Sequence, residues 1–274
     1  MAITDIKQEL VVFLRNSDIF TTTQRGVTTS EDTGTWSAET NHTLATNPTL
    51  VKNVRGITDE DSPEETYETF DSGDLGNTNI SSSFSHAQTF TIGATGSNED
   101  FILTDIELKL SKDGTPDDDL VISIKEVDYR GFPVGNTLST LSVDEGDISD
   151  VNTSFETFDM PSCVLKKGKK YALVLTSNTS PVREYSALLD TTAVYSGGNA
   201  WAGVTSPDTW TETEGAAFAF KINGQKILVP NVEYWVDYST GVISFENVQI
   251  GAYIILYDQG STDKIYPDFP RDDL

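Results

Sequence analysis

Hydrophobic and polar positions alternate along most of this chain with the period of two expected of β-strands. Strand-like runs bounded by turn residues are Phe84–Ile92, Phe101–Leu110, Leu120–Val127, Lys170–Thr176 and Ala216–Lys221. In the second of these, Ile102, Ile106, Leu108 and Leu110 share one face. In the third, Leu120, Ile122 and Ile124 alternate with Val121, Ser123 and Lys125. Turn signals separate the runs, among them Lys112-Asp113-Gly114 and Arg130-Gly131-Phe132-Pro133. Short strands punctuated this regularly predict a sandwich or barrel. Shorter strands are expected at Thr35–Ala38 and Val51–Ile57. Near the end, Tyr234-Trp235-Val236-Asp237-Tyr238 and Val242-Ile243-Ser244-Phe245 flank Ser239-Thr240-Gly241, a hairpin with a glycine for the tight turn. A further strand is expected over Ala252–Tyr257.

Only residues 3–15 show helical spacing. Ile6, Leu10, Phe13 and Leu14 fall on one face, with Thr4 or Asp5 as the cap. So short an amphipathic helix needs a partner surface. The Thr-rich stretch over 21–29 reads as an extended arm, and the prolines of Tyr266–Leu274 hold the tail extended.

The acidic, proline-interrupted run over 59–68 breaks the pattern. Joining Val54–Thr58 directly to Ile222-Asn223-Gly224-Gln225-Lys226-Ile227 gives strand, Asn-Gly turn and strand, running on into the Tyr234 hairpin. The expected organisation is therefore a discontinuous β domain, residues 1–58 and 222–274, carrying residues 59–221 as an inserted β-sandwich. A folded guest with nearby termini is accepted at an exposed turn at little entropic cost. The fold class expected is all-β, with one N-terminal helix.

Composition narrows the function. Among 274 residues, 18 Lys+Arg face 43 Asp+Glu, a formal charge of −25. Such a surface repels phosphate backbones and argues against groove binding of nucleic acid. It suits a high-salt environment, where mutual carboxylate repulsion is screened. No apolar run reaches the length of a membrane span, and Met1–Asp5 lacks the features of a signal peptide. The expectation is folding in the cytoplasm of the producing cell. The single cysteine, Cys163, excludes an intrachain disulfide and reads as a small buried apolar residue.

Catalysis finds no footing. The histidines, His42 and His86, have no triad-like setting, and no phosphate-binding glycine loop is present. No cofactor is required. Asp117, Asp118 and Asp119, like Asp59-Glu60-Asp61, offer oxygen ligands to a structural Ca²⁺, without EF-hand spacing; the alternative is a solvated acidic loop. Tyr185, Tyr195, Trp201 and Trp210 are candidates for stacking on a sugar ring; the alternative is that they pack the sandwich.

Several stretches resemble known families. Phe13-Leu14-Arg15-Asn16-Ser17-Asp18, Thr-Gln-Arg-Gly-Val over 23–27, the Tyr-Trp-Val-Asp-Tyr-Ser-Thr-Gly-Val-Ile-Ser-Phe hairpin and Asp263-Lys264-Ile265-Tyr266-Pro267-Asp268-Phe269-Pro270-Arg271 resemble neck proteins of tailed viruses, over roughly 110 residues. The nearest analogy is a head–tail connector, adaptor or stopper, of a haloarchaeal tailed virus. The middle resembles jelly-roll sandwiches of phage and surface proteins, through Gln88-Thr89-Phe90, Leu103–Leu108, Lys112–Pro116, Gly131–Gly135, Leu165–Tyr171, Tyr195–Gly198 and Ala217–Ile222. These resemblances imply a virion structural protein that assembles as a ring of its own copies against viral portal and tail proteins. Ile6, Leu10, Phe13, Leu14, Ile265, Tyr266, Phe269 and Arg271 would dock on those partners. The alternative they imply is a capsid turret or tail fibre that binds host surface glycans.

Overall fold

The computed structural model describes residues 27–44, 51–58, 63–71, 76–151, 154–192, 194–204 and 209–260. The fold is all-β, built from antiparallel sheets. The helix expected over 3–15 and the proline-rich tail lie outside the described residues. The described elements begin with β1 (Val27–Thr43) and β2 (Val51–Ile57). It continues through β3 (Glu65–Phe70), β4 (Gly76–Ile80), β5 (Phe84–Thr91), β6 (Phe101–Leu108), β7 (Leu110–Lys112) and β8 (Leu120–Glu126). Next come β9 (Thr137–Val143), β10 (Glu156–Asp159), β11 (Val164–Leu165), β12 (Lys170–Thr176) and β13 (Tyr185–Asp190). After these run β14 (Ala200–Val204), β15 (Trp210–Thr213), β16 (Ala217–Phe218) and β17 (Phe220–Lys226). The chain closes with β18 (Tyr234–Asp237) and β19 (Val242–Gly260).

Two compact units result: Met1–Glu60 with Leu228–Leu274, and Asp61–Ile227. In the first, β19 is the central strand. It pairs with β1 along one edge, from Val27 opposite Gly260 to Thr43 opposite Val242. On its other edge it pairs with β18 at one end and with β2 at the other. Ile57, Tyr234, Ile243, Phe245, Ile255 and Tyr257 form its core with Trp36 and Leu44. Burying each such side chain contributes about 1.5–3 kcal/mol. The Leu228 amide donates to the Ile57 carbonyl at 2.9 Å. The strand entering the intervening segment and the chain leaving it are thus hydrogen-bonded neighbours.

The second unit is a β-sandwich. A six-stranded sheet, β15-β14-β5-β12-β8-β9, supplies one layer. The sheets β10-β6-β17-β3 and β16-β13-β4 supply residues to the same core. Phe90, Ile122, Ile124, Tyr171 and Leu173 come from the first layer, and Ile106, Leu108, Phe218, Phe220 and Ile222 from the others.

Three local expectations are corrected. Asn223-Gly224 is not a turn joining residue 58 to residue 227: it lies inside β17, which pairs β3 on one side and β6 on the other, with register shifts at Ile222/Asn223 and Asn223/Gly224. Asn223 is held there by its own amide, which donates to Asp105 at 2.7 Å and Glu107 at 3.0 Å. The unit boundary accordingly falls at 227/228 rather than 221/222. Val242–Phe245 and Ala252–Tyr257 are one continuous strand, because β1 pairs along both; Gly251, at φ 89, absorbs the distortion between them. The run Phe101–Leu110 divides at Lys109, and Leu110 turns to pair with β13 in another sheet.

Candidate interaction surfaces

In the sheet unit, β1 is sharply bent. Ala38 has φ 68 and lies at a bulge between Ser37 and Glu39. The bend brings His42 Nε2 to 3.0 Å from Asp32 Oδ2, with Glu39 Oε2 3.7 Å from Nδ1. Trp36 fills the inside of the bend. Its ring stacks on Tyr253 at 4.0 Å and meets His42 and Phe245 edge-on at 4.8 and 5.0 Å. Gly34, opposite Tyr253 in the ladder, makes room for that ring: a Cβ there would stand 2.7 Å from the Tyr253 hydroxyl. Burial and the nearby Asp32 carboxylate raise the Tyr253 phenol above its ordinary range. On the opposite face, Trp235, Val248 and Ile250 are exposed.

The predicted docking residues Ile6, Leu10, Phe13, Leu14, Ile265, Tyr266, Phe269 and Arg271 lie outside the described residues. The described residues nearest to them in sequence, Val27 and Gly260, are paired in the sheet.

The four candidate sugar-stacking aromatics are corrected by their burial. Tyr185, Tyr195, Trp201 and Trp210 are 0%, 4%, 7% and 6% exposed, so none offers an open ring face. Tyr185 is in the sandwich core, and its hydroxyl donates to the Asp118 carbonyl at 2.8 Å. The Tyr195 hydroxyl donates to Glu68 at 2.5 Å. Trp201 and Trp210 do lie on the outer face of the six-stranded sheet, over Ala87, Ala172 and Val174, but Val127 and Phe132 pack against this cluster. Large rings laid on small residues exclude water from that face and are thereby lost as a binding platform. Both indole N–H groups are buried without an acceptor among the described residues.

Asp117, Asp118 and Asp119 do not converge. Asp117 Oδ1 accepts from the Thr179 hydroxyl at 2.7 Å and the Ser180 amide at 2.8 Å, bonds that hold its carboxyl below the usual range. Asp118 Oδ1 accepts from the Asp119 amide at 3.0 Å, and Asp119 Oδ2 from Ser142 at 2.7 Å. Among the described residues no group of three or more potential ligands is arranged to hold a metal ion.

Sequence reasoning missed a fully buried, multiply bonded carboxylate of the sandwich. Glu68, 0% exposed, accepts from the Ala94 amide at 2.6 Å, the Thr95 amide at 3.1 Å, the Thr95 hydroxyl at 2.7 Å and Tyr195. Nothing in the acidic run around it distinguishes Glu68 from its solvated neighbours. His86 and Cys163 are likewise buried. Desolvation lowers the His86 imidazole, against the bond its Nε2 makes to the Asn79 carbonyl at 3.0 Å, and pushes the Cys163 thiol up to about 12. The His86 ring also lies against the Thr78 hydroxyl, 3.0 Å from Nε2.

Comparison of the sequence with known protein families and with curated proteins finds no match. What fold and surface define is an all-β protein of two units, one sheet assembled from both ends of the chain and one sandwich.

Proposed function

We propose that the chain is a virion structural protein, a head–tail connector that forms a ring between portal and tail of a tailed virus. In this reading the sandwich, Asp61–Ile227, is an outward-facing jelly-roll decoration. The partners are further copies of the chain and the neighbouring portal and tail proteins.

The observation that carries the reading is the sheet of the first unit. The Tyr234–Phe245 hairpin, which resembles neck proteins, is part of the same sheet as β1 and β2. The remaining three resembling stretches flank this sheet, two leading into β1 and one following β19. Their points of origin, Val27 and Gly260, are paired. Chain segments that continue from paired positions of one sheet suit contact with neighbouring subunits, and a ring multiplies each such contact. The formal charge of −25 fits assembly and function in a high-salt host.

Electron microscopy of virions carrying a label fused to the sandwich tests this. Density for the label at the portal–tail joint is the expected result. Label on capsid faces or on fibres would instead support a turret or fibre.

A further inference from the structure

The sandwich is electrically two-ended. β8 starts among acids and finishes among lysines, about 23 Å away at some 3.3 Å per residue. At its far end it lies beside the start of β12, with Lys125 opposite Ala172. The turn into β12 carries Lys166, Lys167, Lys169 and Lys170, with Gly168 at φ 67. The loop after β8 adds Arg130. Six of the chain's 18 basic residues therefore meet at one end of one sheet. Lys166, Lys169 and Arg130 are paired with Asp100, Glu126 and Asp128. Lys125, Lys167 and Lys170 have no carboxylate within ion-pair distance among the described residues. Lys125 and Lys170 share the outer face of Ala172 and Val174, and Lys167 stands exposed at the turn. Tyr129, 88% exposed, and Val134, 38% exposed, add apolar surface to the same end.

The opposite end is acidic. Asp113 follows β7, Asp117, Asp118 and Asp119 precede β8, Asp144, Glu145, Asp147 and Asp150 follow β9, and Glu184 precedes β13. They form one field: Glu145, Asp144 and Asp150 all act on Lys112, Asp119, Glu145, Asp144 and Asp118 on Tyr185, and Asp113 on Glu184. Burial and the Asp113 charge raise the Glu184 carboxyl. Of these acids only Glu145 has a cation in ion-pair contact among the described residues, Lys112 at 2.7 Å.

We infer that the basic end of one sandwich, through Lys125, Lys167, Lys170 and Tyr129, docks on the acidic end of a second copy of this chain. The contact is head-to-tail, with different surfaces on the two copies. A contact of that kind closes into a ring or extends as a filament and does not stop at a dimer. Charge complementarity fixes its direction: basic against basic and acidic against acidic are both repelled. Tyr129 and Val134 supply the part of the contact that salt does not screen. The inference deepens the ring proposed above by assigning a subunit contact to the sandwich, and it stands or falls separately from the position of that ring in a virion.

The test uses the full chain in sedimentation velocity over a concentration series, from 50 mM to 1 M salt. Expected is concentration-dependent association, at least tenfold weaker at the high-salt end. Lys125→Glu/Lys167→Glu/Lys170→Glu and, separately, Asp113→Lys/Asp147→Lys/Asp150→Lys should each be monomeric, with unchanged circular dichroism and melting. An equimolar mixture of the two variants should regain association, because one variant presents two acidic ends and the other two basic ends, so that every contact between them joins opposite charges. A wild-type chain that stays monomeric at low salt, or one whose association survives either reversal, overturns the inference. So does retention on a uronic-acid polymer that the lysine variant loses while wild-type oligomeric state is unaffected by polymer or salt; the surface then belongs to an anionic sugar. A monomeric chain still found at the portal–tail joint sinks this contact alone, whereas an associating chain absent from that joint sinks the neck reading alone.

Discussion

Asp32 and His42, ten residues apart on one strand, meet side chain to side chain at 3.0 Å. Fully extended, that stretch would span about 33 Å. The contact therefore records how far β1 folds back at Ala38, and Trp36 fills the space the fold encloses.

The first prediction concerns that clamp. His42→Ala and Asp32→Ala should each destabilise the chain, and the double variant should lose less than the sum. A coupling of about 1–3 kcal/mol is expected for a largely buried, charge-assisted bond. Urea titration of the four proteins supplies the cycle. Strict additivity would show that the bend is set by Ala38 and Trp36 alone.

A second prediction follows from Glu68. Replacing it with Ala removes the acceptor shared by the Ala94 and Thr95 amides, the Thr95 hydroxyl and the buried Tyr195 hydroxyl. The expected loss is about 3–5 kcal/mol, against about 1–2 kcal/mol for Tyr195→Phe, which removes one donor of four. Denaturant midpoints compare the two; equal losses would contradict the role given to the carboxylate.

pH dependence is expected from His86. Burial lowers its imidazole below the ordinary 6.5, so the folded chain binds a proton less readily than the unfolded one. The stability linked to this group is complete above 6.5 and is lost as pH falls below that value toward the folded pKa. Melting temperatures between about pH 7.5 and 5 should decline for the native chain and decline less for His86→Gln. Parallel curves would show that the carboxylates alone set the slope.

Cys163 should be silent while the chain is folded. With its thiol pushed from 9.0 to about 12, the thiolate fraction at neutral pH falls about a thousandfold, before any loss of access. Labelling with a disulfide reagent should need denaturant and should report unfolding of the sandwich. Rapid labelling in buffer would contradict its burial.

Removal of the sandwich should leave the sheet unit able to fold. Leu228 already bonds to Ile57, so joining Thr58 to Leu228 through two or three glycines asks for a short turn and no new pairing. Far-ultraviolet dichroism and a cooperative melt of the shortened chain check this. A molten product would show that the sheet depends on its passenger.

The sequence by itself determined the all-β class. Alternation across Leu120–Val127 names the core face of that strand, and Ser239-Thr240-Gly241 names the turn of the late hairpin, where Gly241 adopts φ 67. These are local facts, because a side chain's face follows from the period of the backbone. Partnership is not local. Asn223-Gly224 carries a hairpin signal, yet ladders to β3 and β6, and the Asn223 bonds to Asp105 and Glu107, hold it inside a strand. Only the tertiary structure joined Val242–Phe245 to Ala252–Tyr257 along β1, buried Trp201 and Trp210, and brought Asp32 to His42. Each of these depends on which distant segment supplies the missing hydrogen bonds or covers the apolar face, and no pattern within a single segment carries that information.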